Sequence, residues 1–205
     1  MEELEKEPST RDKTDEEVFQ TYIEDLRLTP EDFDKKILDV GAGAAQFAKW
    51  AKEHGVSGEI YNLEPQKEYI LEKNKSVVAR AEAIPFEDES FDLVVSNAAI
   101  PNIYISEVNA DTVKEKVMNS LYEMVRVIRP GGEVRLSRVL MDKGYESKQI
   151  LPKSIGEALE NLKTKGNVQI EKIRTPSDDT YEYENNQPKR LLAETYLIII
   201  HKQAK

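Results

Sequence analysis

Ile37-Leu38-Asp39-Val40-Gly41-Ala42-Gly43 is the stretch whose reading decides the fold. Its first four residues are mostly apolar and read as a short buried strand. The two glycines let the backbone turn tightly and leave no Cβ in a ligand's way. Ala44, Phe47, Ala48 and Ala51 then recur at helical spacing, with Gly55 as a C-cap candidate. A strand, a glycine turn and a helix in succession put the turn at the carboxyl end of a strand. Open α/β sheets bind their ligands there. A second strand, Glu59-Ile60-Tyr61-Asn62-Leu63, ends at Glu64, 21 residues beyond Gly43. A carboxylate in that position suits two ribose hydroxyls.

Outward from this pair the pattern repeats. A helix is expected through Tyr69 to Lys73, and Ser76-Val77-Val78-Ala79 reads as a third strand. Phe91 to Ser96 reads as a fourth. Thr112-Val113-Lys114-Glu115 has capping-box spacing ahead of a stripe of Val117, Leu121, Met124, Val125 and Ile128. Pro130-Gly131-Gly132 breaks that helix, and Glu133 to Ser137 alternates as a fifth strand. Ser154 to Glu157 reads as the cap of a further helix ended by Gly166. Val168 to Ile173 and Thr195 to His201 are the last two strands. The polar segment 176–190 between them suits an antiparallel hairpin at one sheet edge. Strands alternating with helices imply an α/β fold with a mostly parallel sheet and helices on both faces.

Ahead of this body, Thr14-Asp15-Glu16-Glu17 is a capping box opening a helix with Val18, Tyr22, Ile23 and Leu26 on one side. Thr29-Pro30 is a second helical start. Residues 1–13 are expected to be a disordered acidic tail, and 14–205 a single domain. The net charge is −10, and residues 1–36 hold 13 acidic against 6 basic side chains, so the body is nearly neutral. No basic stripe marks a polyanion partner, which disfavours nucleic acid. The longest wholly apolar run, Leu197 to Ile200, is too short to span a bilayer. The absence of cysteine excludes disulfides and thiolate chemistry, and the chain carries no secretory signal pattern. Cytoplasm is the default expectation. Two lone histidines, His54 and His201, make no metal site.

Two cofactor classes use a glycine turn followed by an acid. A dinucleotide fingerprint needs a third glycine at position 46, where the pyrophosphate meets the helix. Gln46 stands there instead. S-adenosylmethionine carries no phosphate and tolerates the change. The chain here resembles the class I S-adenosylmethionine-dependent methyltransferases over roughly residues 36–138. Residues 37–43 look like the first motif of that family, and Glu64 like the acid ending its second strand. Ala81-Glu82-Ala83-Ile84-Pro85-Phe86 with Ser90 to Ser96 looks like its adenine loop and fourth strand. Arg129-Pro130-Gly131-Gly132 looks like its turn before strand five.

The resemblance implies a three-layer Rossmann-like fold with a seven-stranded sheet and an antiparallel C-terminal hairpin. It implies S-adenosyl-L-methionine as cofactor and methyl transfer as the reaction. Gly41, Ala42 and Gly43 would pass the methionine part and ribose, with Asp39 near the amino-acid end. Glu64 would take the ribose diol, and Pro65 would border the adenine. Ala81 and Glu82 would line the adenine pocket, and Asn97 would face the methionine ammonium and the transfer site. Ala45 replaces a glycine frequent in the first motif. Arg80 replaces an Asp frequent before the adenine-loop alanine, and Arg cannot accept a hydrogen bond.

Methyl transfer from a sulfonium is an in-line displacement that needs alignment first and a base only for some acceptors. No catalytic residue is therefore assigned. Residues 97–111, with Pro101, Asn102 and Tyr104, are the expected wall of the acceptor site. Segment 176–190, with Tyr181 and Tyr183, is a candidate lid, and the N-terminal helix is a second element that could cover the cofactor. The acceptor is expected to be a small molecule. Asn97-Ala98-Ala99-Ile100 lacks the Pro-Pro-aromatic arrangement used on nucleic-acid bases. A degenerate cofactor-binding module and a nicotinamide-dependent oxidoreductase are the alternatives; Tyr69 and Lys73 sit too early for the latter. The oligomeric state is open.

Overall fold

The computed structural model describes residues 13–56, 58–69, 75–141, 150–165, 167–175 and 187–204, and 178–184, with 178–184 and 187–193 described through their backbone. Seven strands form one sheet: β1 Lys36–Val40, β2 Glu59–Leu63, β3 Ser76–Val77, β4 Phe91–Asn97, β5 Ile128–Leu140, β6 Val168–Arg174 and β9 Thr195–Lys202. Their order is β3-β2-β1-β4-β5-β9-β6. The first five run parallel, and β9 lies antiparallel to both β5 and β6. The late hairpin therefore lies at one end of the sheet as expected, with β6 as the edge strand and β9 inserted between it and β5. That explains the apolar run of β9, because an interior strand buries both faces. Leu197 packs on one side of the sheet, and Ile198 and Ile200 on the other.

Four helices cover the two faces: α1 Asp15–Leu26, α2 Gln46–Glu53, α3 Ala110–Val127 and α4 Ile150–Lys165. On one face Leu38, Val94, Leu136 and Ile198 meet Val117, Leu121 and Met124 of α3 and Ile155 and Leu159 of α4. On the other, Ile37, Ile60, Leu93 and Val95 meet Phe47 of α2 and Phe19, Tyr22 and Leu26 of α1. The alternation along each strand thus feeds two separate cores.

Several local expectations shift. The box at Thr14 forms, with Glu17 N–H bonded to Thr14 Oγ1 at 3.2 Å and Thr14 N–H to Glu17 Oε2 at 2.7 Å. The cap of α3 is Asn109, which accepts from Thr112 N–H at 2.9 Å, so the helix starts a turn earlier than Thr112. Ser154 lies buried inside α4 rather than at its start. The segment between β6 and β9 is itself a ladder, β7 Asp178–Glu184 paired antiparallel with β8 Gln187–Ala193. The expected helix to Lys73 shows a short 3₁₀ turn, Lys67–Tyr69, and residues 70–74 lie outside the described residues. Gly166 and, save for Lys13, the acidic tail lie outside them too.

Candidate functional site

The glycine turn is built by hydrogen bonds to the end of β2. Gly41 N–H donates to Leu63 O at 2.8 Å, and Ala42 N–H to the same oxygen at 3.3 Å. Gly41 has φ +81°, and a Cβ there would stand 2.5 Å from Ala99 Cβ. The turn after β1 therefore nests against the turn after β4, and only glycine permits both the conformation and the approach. Gly43 has φ +54°, but a Cβ there would meet open space. One glycine serves packing; the other keeps a cavity clear.

Glu64 sits behind this turn, 7% exposed. Its Oε2 accepts from Gly43 N–H at 3.0 Å and its Oε1 from Gln66 N–H at 3.0 Å. Both oxygens are thereby fixed, and each keeps a lone pair for a further donor. Asp39, fully buried in β1, accepts from the Tyr22 hydroxyl at 3.0 Å through Oδ2. Its Oδ1 has no partner. Burial pushes the Asp39 carboxyl up to about 7; the Tyr22 bond opposes this and the charge of Glu64 adds to it. Burial, then the nearby Asp39 charge, pushes the Tyr22 phenol well above its usual range.

A cavity of about 310 Å³ opens over the turn. Gly41, Ala42, Gly43 and Asn97 line it, as do Val18, Thr21 and Tyr22 of α1 and Arg138 of β5. Asn97 Oδ1 accepts from Ser137 Oγ at 3.1 Å, and Ser137 Oγ takes Ala98 N–H at 3.3 Å. The buried Asn97 Nδ2 has no partner. Its side chain thus holds an unused donor beside the cavity. Ala98 and Arg138, both lining the cavity, have φ +55° and +52°. Such conformations cost energy in non-glycine residues and concentrate at ligand sites. Asn102 holds the Arg138 kink, donating to Arg138 O at 2.7 Å and accepting from Leu140 N–H at 3.2 Å.

Helix α1 is a further wall, in the covering position the sequence allowed it. It docks through Phe19, which stacks on Trp50 at 4.1 Å and Phe47 at 5.5 Å, and through Tyr22 on Phe47 at 4.4 Å. Gln46, in the position of the missing glycine, donates to Lys13 O at 3.1 Å and Asp15 Oδ1 at 3.0 Å. Asp15 also pairs with Lys49, and Arg138 Nε with Asp25 Oδ2 at 2.7 Å. The signal available in the sequence was Tyr22: a tyrosine in an apolar stripe needs a partner for its hydroxyl once buried.

Other expected site residues fall elsewhere. Pro65 is exposed, and Ala81 is buried in the α3-side core. Glu82 faces Arg80 at 3.4 Å, and none of the three lines the cavity among the described residues. Tyr104 turns into the core, where its hydroxyl meets Ser120 Oγ at 2.7 Å and burial raises its pKa. It is not an acceptor wall. The side chains of Tyr181 and Tyr183 lie outside the described residues. His54 caps α2 and stacks on Trp50 at 3.9 Å, and His201 bridges Glu133 and Glu171 across strands.

Comparison with known proteins agrees with this geometry. Residues 38–136 match the family described as a methyltransferase domain. The ubiquinone/menaquinone biosynthesis C-methyltransferase UbiE of Pasteurella multocida is 31% identical over 147 residues, covering 62% of this chain and 50% of that protein. UbiE of Yersinia pestis is 32% identical over 144 residues, covering 60% and 53%. The chain thus spans about half the length of the curated relatives it matches. Among solved structures, the YcgJ protein of Bacillus subtilis superposes with a TM-score of 0.59 at 17% identity, over 93% of this chain and 100% of that one. A S-adenosylmethionine-dependent methyltransferase of Methanosarcina mazei superposes with a TM-score of 0.55 at 16% identity, over 87% and 99%. With its sheet order, its glycine turn and these matches, residues 38–136 are similar to a methyltransferase domain, on a fold shared with solved S-adenosylmethionine-dependent methyltransferases.

Proposed function

We propose that residues 14–205 form one S-adenosylmethionine-dependent methyltransferase unit acting on a small-molecule acceptor. The observation that carries this reading is the cradle itself. A glycine turn clears a cavity, Glu64 waits with two fixed carboxylate oxygens, and the unpartnered Asn97 Nδ2 supplies a buried donor. These suit the ribose diol and the carboxylate of the cofactor. Gly41, Ala42 and Gly43 give it backbone to lie on, and Asp39 sets a buried acidic group behind Tyr22. Pro65, Ala81 and Glu82 are assigned to the adenine side by the family resemblance. Bound there, the cofactor supplies an activated methyl group on a sulfonium sulfur.

The residues of this chain supply alignment and dryness. Val18, Thr21 and Tyr22 close the cavity from α1, and Asn97, Ala98 and Arg138 close it from the ends of β4 and β5. Holding two reactants in line is the main protein contribution to such a displacement. No side chain is needed to hold a proton unless the acceptor carries one on the reacting atom. The names of the relatives point to carbon acceptors on small quinone precursors as the first class to screen. No helix among the described residues is long and apolar enough to cross a membrane, and we place the protein in the cytoplasm.

Calorimetric titration with S-adenosylmethionine, S-adenosylhomocysteine and NAD tests the cofactor. Binding of the first two and not the third is expected, because Gln46 is committed to α1 where a pyrophosphate would lie. Transfer of a labelled methyl group then separates an enzyme from a module that only binds.

A further inference from the structure

Asp39, Asn62 and Ser76 lie in one row across β1, β2 and β3, paired in register. Paired residues on neighbouring strands point to the same face and touch. That face is the one beneath α1 and α2, since Ile37 and Ile60, two residues earlier on each strand, pack there. Asn62 is 2% exposed, and its Nδ2 donates to Ser76 Oγ at 3.2 Å. Its Oδ1 has no partner, and neither has Asp39 Oδ1. The register thus sets two residues with bare, buried acceptors opposite each other on one face. Each is costly alone, and a single hydrogen between them would satisfy both.

We propose that Asp39 carries that proton in the cofactor-free protein, donating from Oδ1 to Asn62 Oδ1, that Tyr22 positions the carboxyl through Oδ2, and that cofactor binding expels the proton to solvent. This rests on the cofactor reading given above. The O–H bond of Asp39 breaks, the proton goes to buffer, and the carboxylate stays. Asn62 and Ser76 can then reverse, the amide donating to Asp39 and the hydroxyl to the amide oxygen. The driving charge is that of the cofactor, a net cation in a cavity whose wall includes Tyr22. A nearby positive charge favours an ionised carboxylate, most strongly where water is excluded.

The titratable neighbours of Asp39 among the described residues are Tyr22 from α1 and Glu64 from the end of β2. From β4 and α2 the same face receives Val95 and Phe47, both apolar. Lys13 and Arg138 line the cavity that Tyr22 lines. The upward push on Asp39 by burial agrees with a proton held near neutrality. The sign follows. The free protein holds the proton below about pH 7. Affinity therefore strengthens as pH rises toward that value and levels above it, changing at most about tenfold per pH unit below it.

Carboxyl-carbon NMR of aspartate-labelled, cofactor-free protein should show Asp39 titrating near neutrality. A midpoint in the ordinary aspartate range would overturn the proposal whatever binds, and would mean that the Asn62 amide already donates to an ionised Asp39. Calorimetry with S-adenosylmethionine in buffers of differing ionisation heat should show close to one proton released at about pH 6 and almost none at about pH 8.5. Binding without proton release sinks the linkage alone; no binding at any pH sinks both the linkage and the cofactor reading. Tyr22→Phe keeps the ring on Phe47 but removes the donor that the structure shows on the Asp39 carboxyl among the described residues. Its affinity should be lost at neutral pH and recovered in alkali, whereas a merely structural tyrosine would cost the same at every pH. Asp39→Asn should bind more weakly and release no proton.

Discussion

Gly41 and Gly43 stand two residues apart in one turn, yet a methyl group added to each meets different surroundings. At Gly41 it meets Ala99 Cβ at 2.5 Å, in a backbone that already disfavours a side chain. Gly41→Ala should cost about 2 kcal/mol or more in denaturant unfolding, before any ligand is considered. At Gly43 the space is open. Asparagine tolerates the left-handed conformation best among the residues with a Cβ. Gly43→Asn should therefore fold with a loss of about 1 kcal/mol or less, while its side chain fills the cavity and removes cofactor binding in calorimetry. Both glycines were legible in the sequence as one motif, but not their division of labour, which depends on the β4 turn lying beside the β1 turn. Glu64 was legible too. Its bonds to Gly43 and Gln66 add that Glu64→Ala should loosen the turn as well as remove a ribose acceptor, so affinity should fall about tenfold or more. Gln46 was read for what it lacks, a glycine's smoothness, and is found bonded to α1.

Among the elements, α1 is the one whose docking surface the sequence left undetermined. Its stripe of Val18, Tyr22 and Leu26 predicts a helix with a buried side, but not which surface it covers. The partners, Phe47 and Trp50, come from a helix packed on the same face of the sheet. Phe19→Ala should cost about 3–5 kcal/mol of stability and weaken the cofactor in parallel, because the same helix closes the cavity. The start of α3 replaces Thr112 with Asn109 as the cap. Asn109→Ala should cost about 1 kcal/mol in thermal unfolding, whereas Thr112→Ala should cost much less, its hydroxyl having no part in the cap. Thr112 looked like the cap, since cap residues are common to loops and first turns alike. Strands β7 and β8 escaped notice for a related reason. Their acids, lysine and proline match the composition of a loop, and the alternation that betrays a strand is an alternation of burial.

For the whole molecule, the strand sequence and the two-faced core followed from apolar runs separated by glycine turns, and the matched order bears them out. The placement of β9 did not follow, because pairing between strands distant in sequence leaves no local mark. The buried Asp39 has a consequence at this scale. Its folded pKa lies above its ordinary value of 3.8, near 7. The stability it contributes is full below the lower value and is lost as pH climbs through the upper one. The cofactor-free protein should therefore melt at a lower temperature at about pH 8 than at about pH 5.5, and Asp39→Asn should flatten that slope. The inserted strand also sets a clock. β5 and β6 can join only through residues 195–202. While the ribosome still holds that segment in its exit tunnel, the nascent chain can pair β1 to β5 but must carry β6 unjoined, with two sheet edges bare. Stalled chains ending before Thr195 should be the ones that chaperones hold.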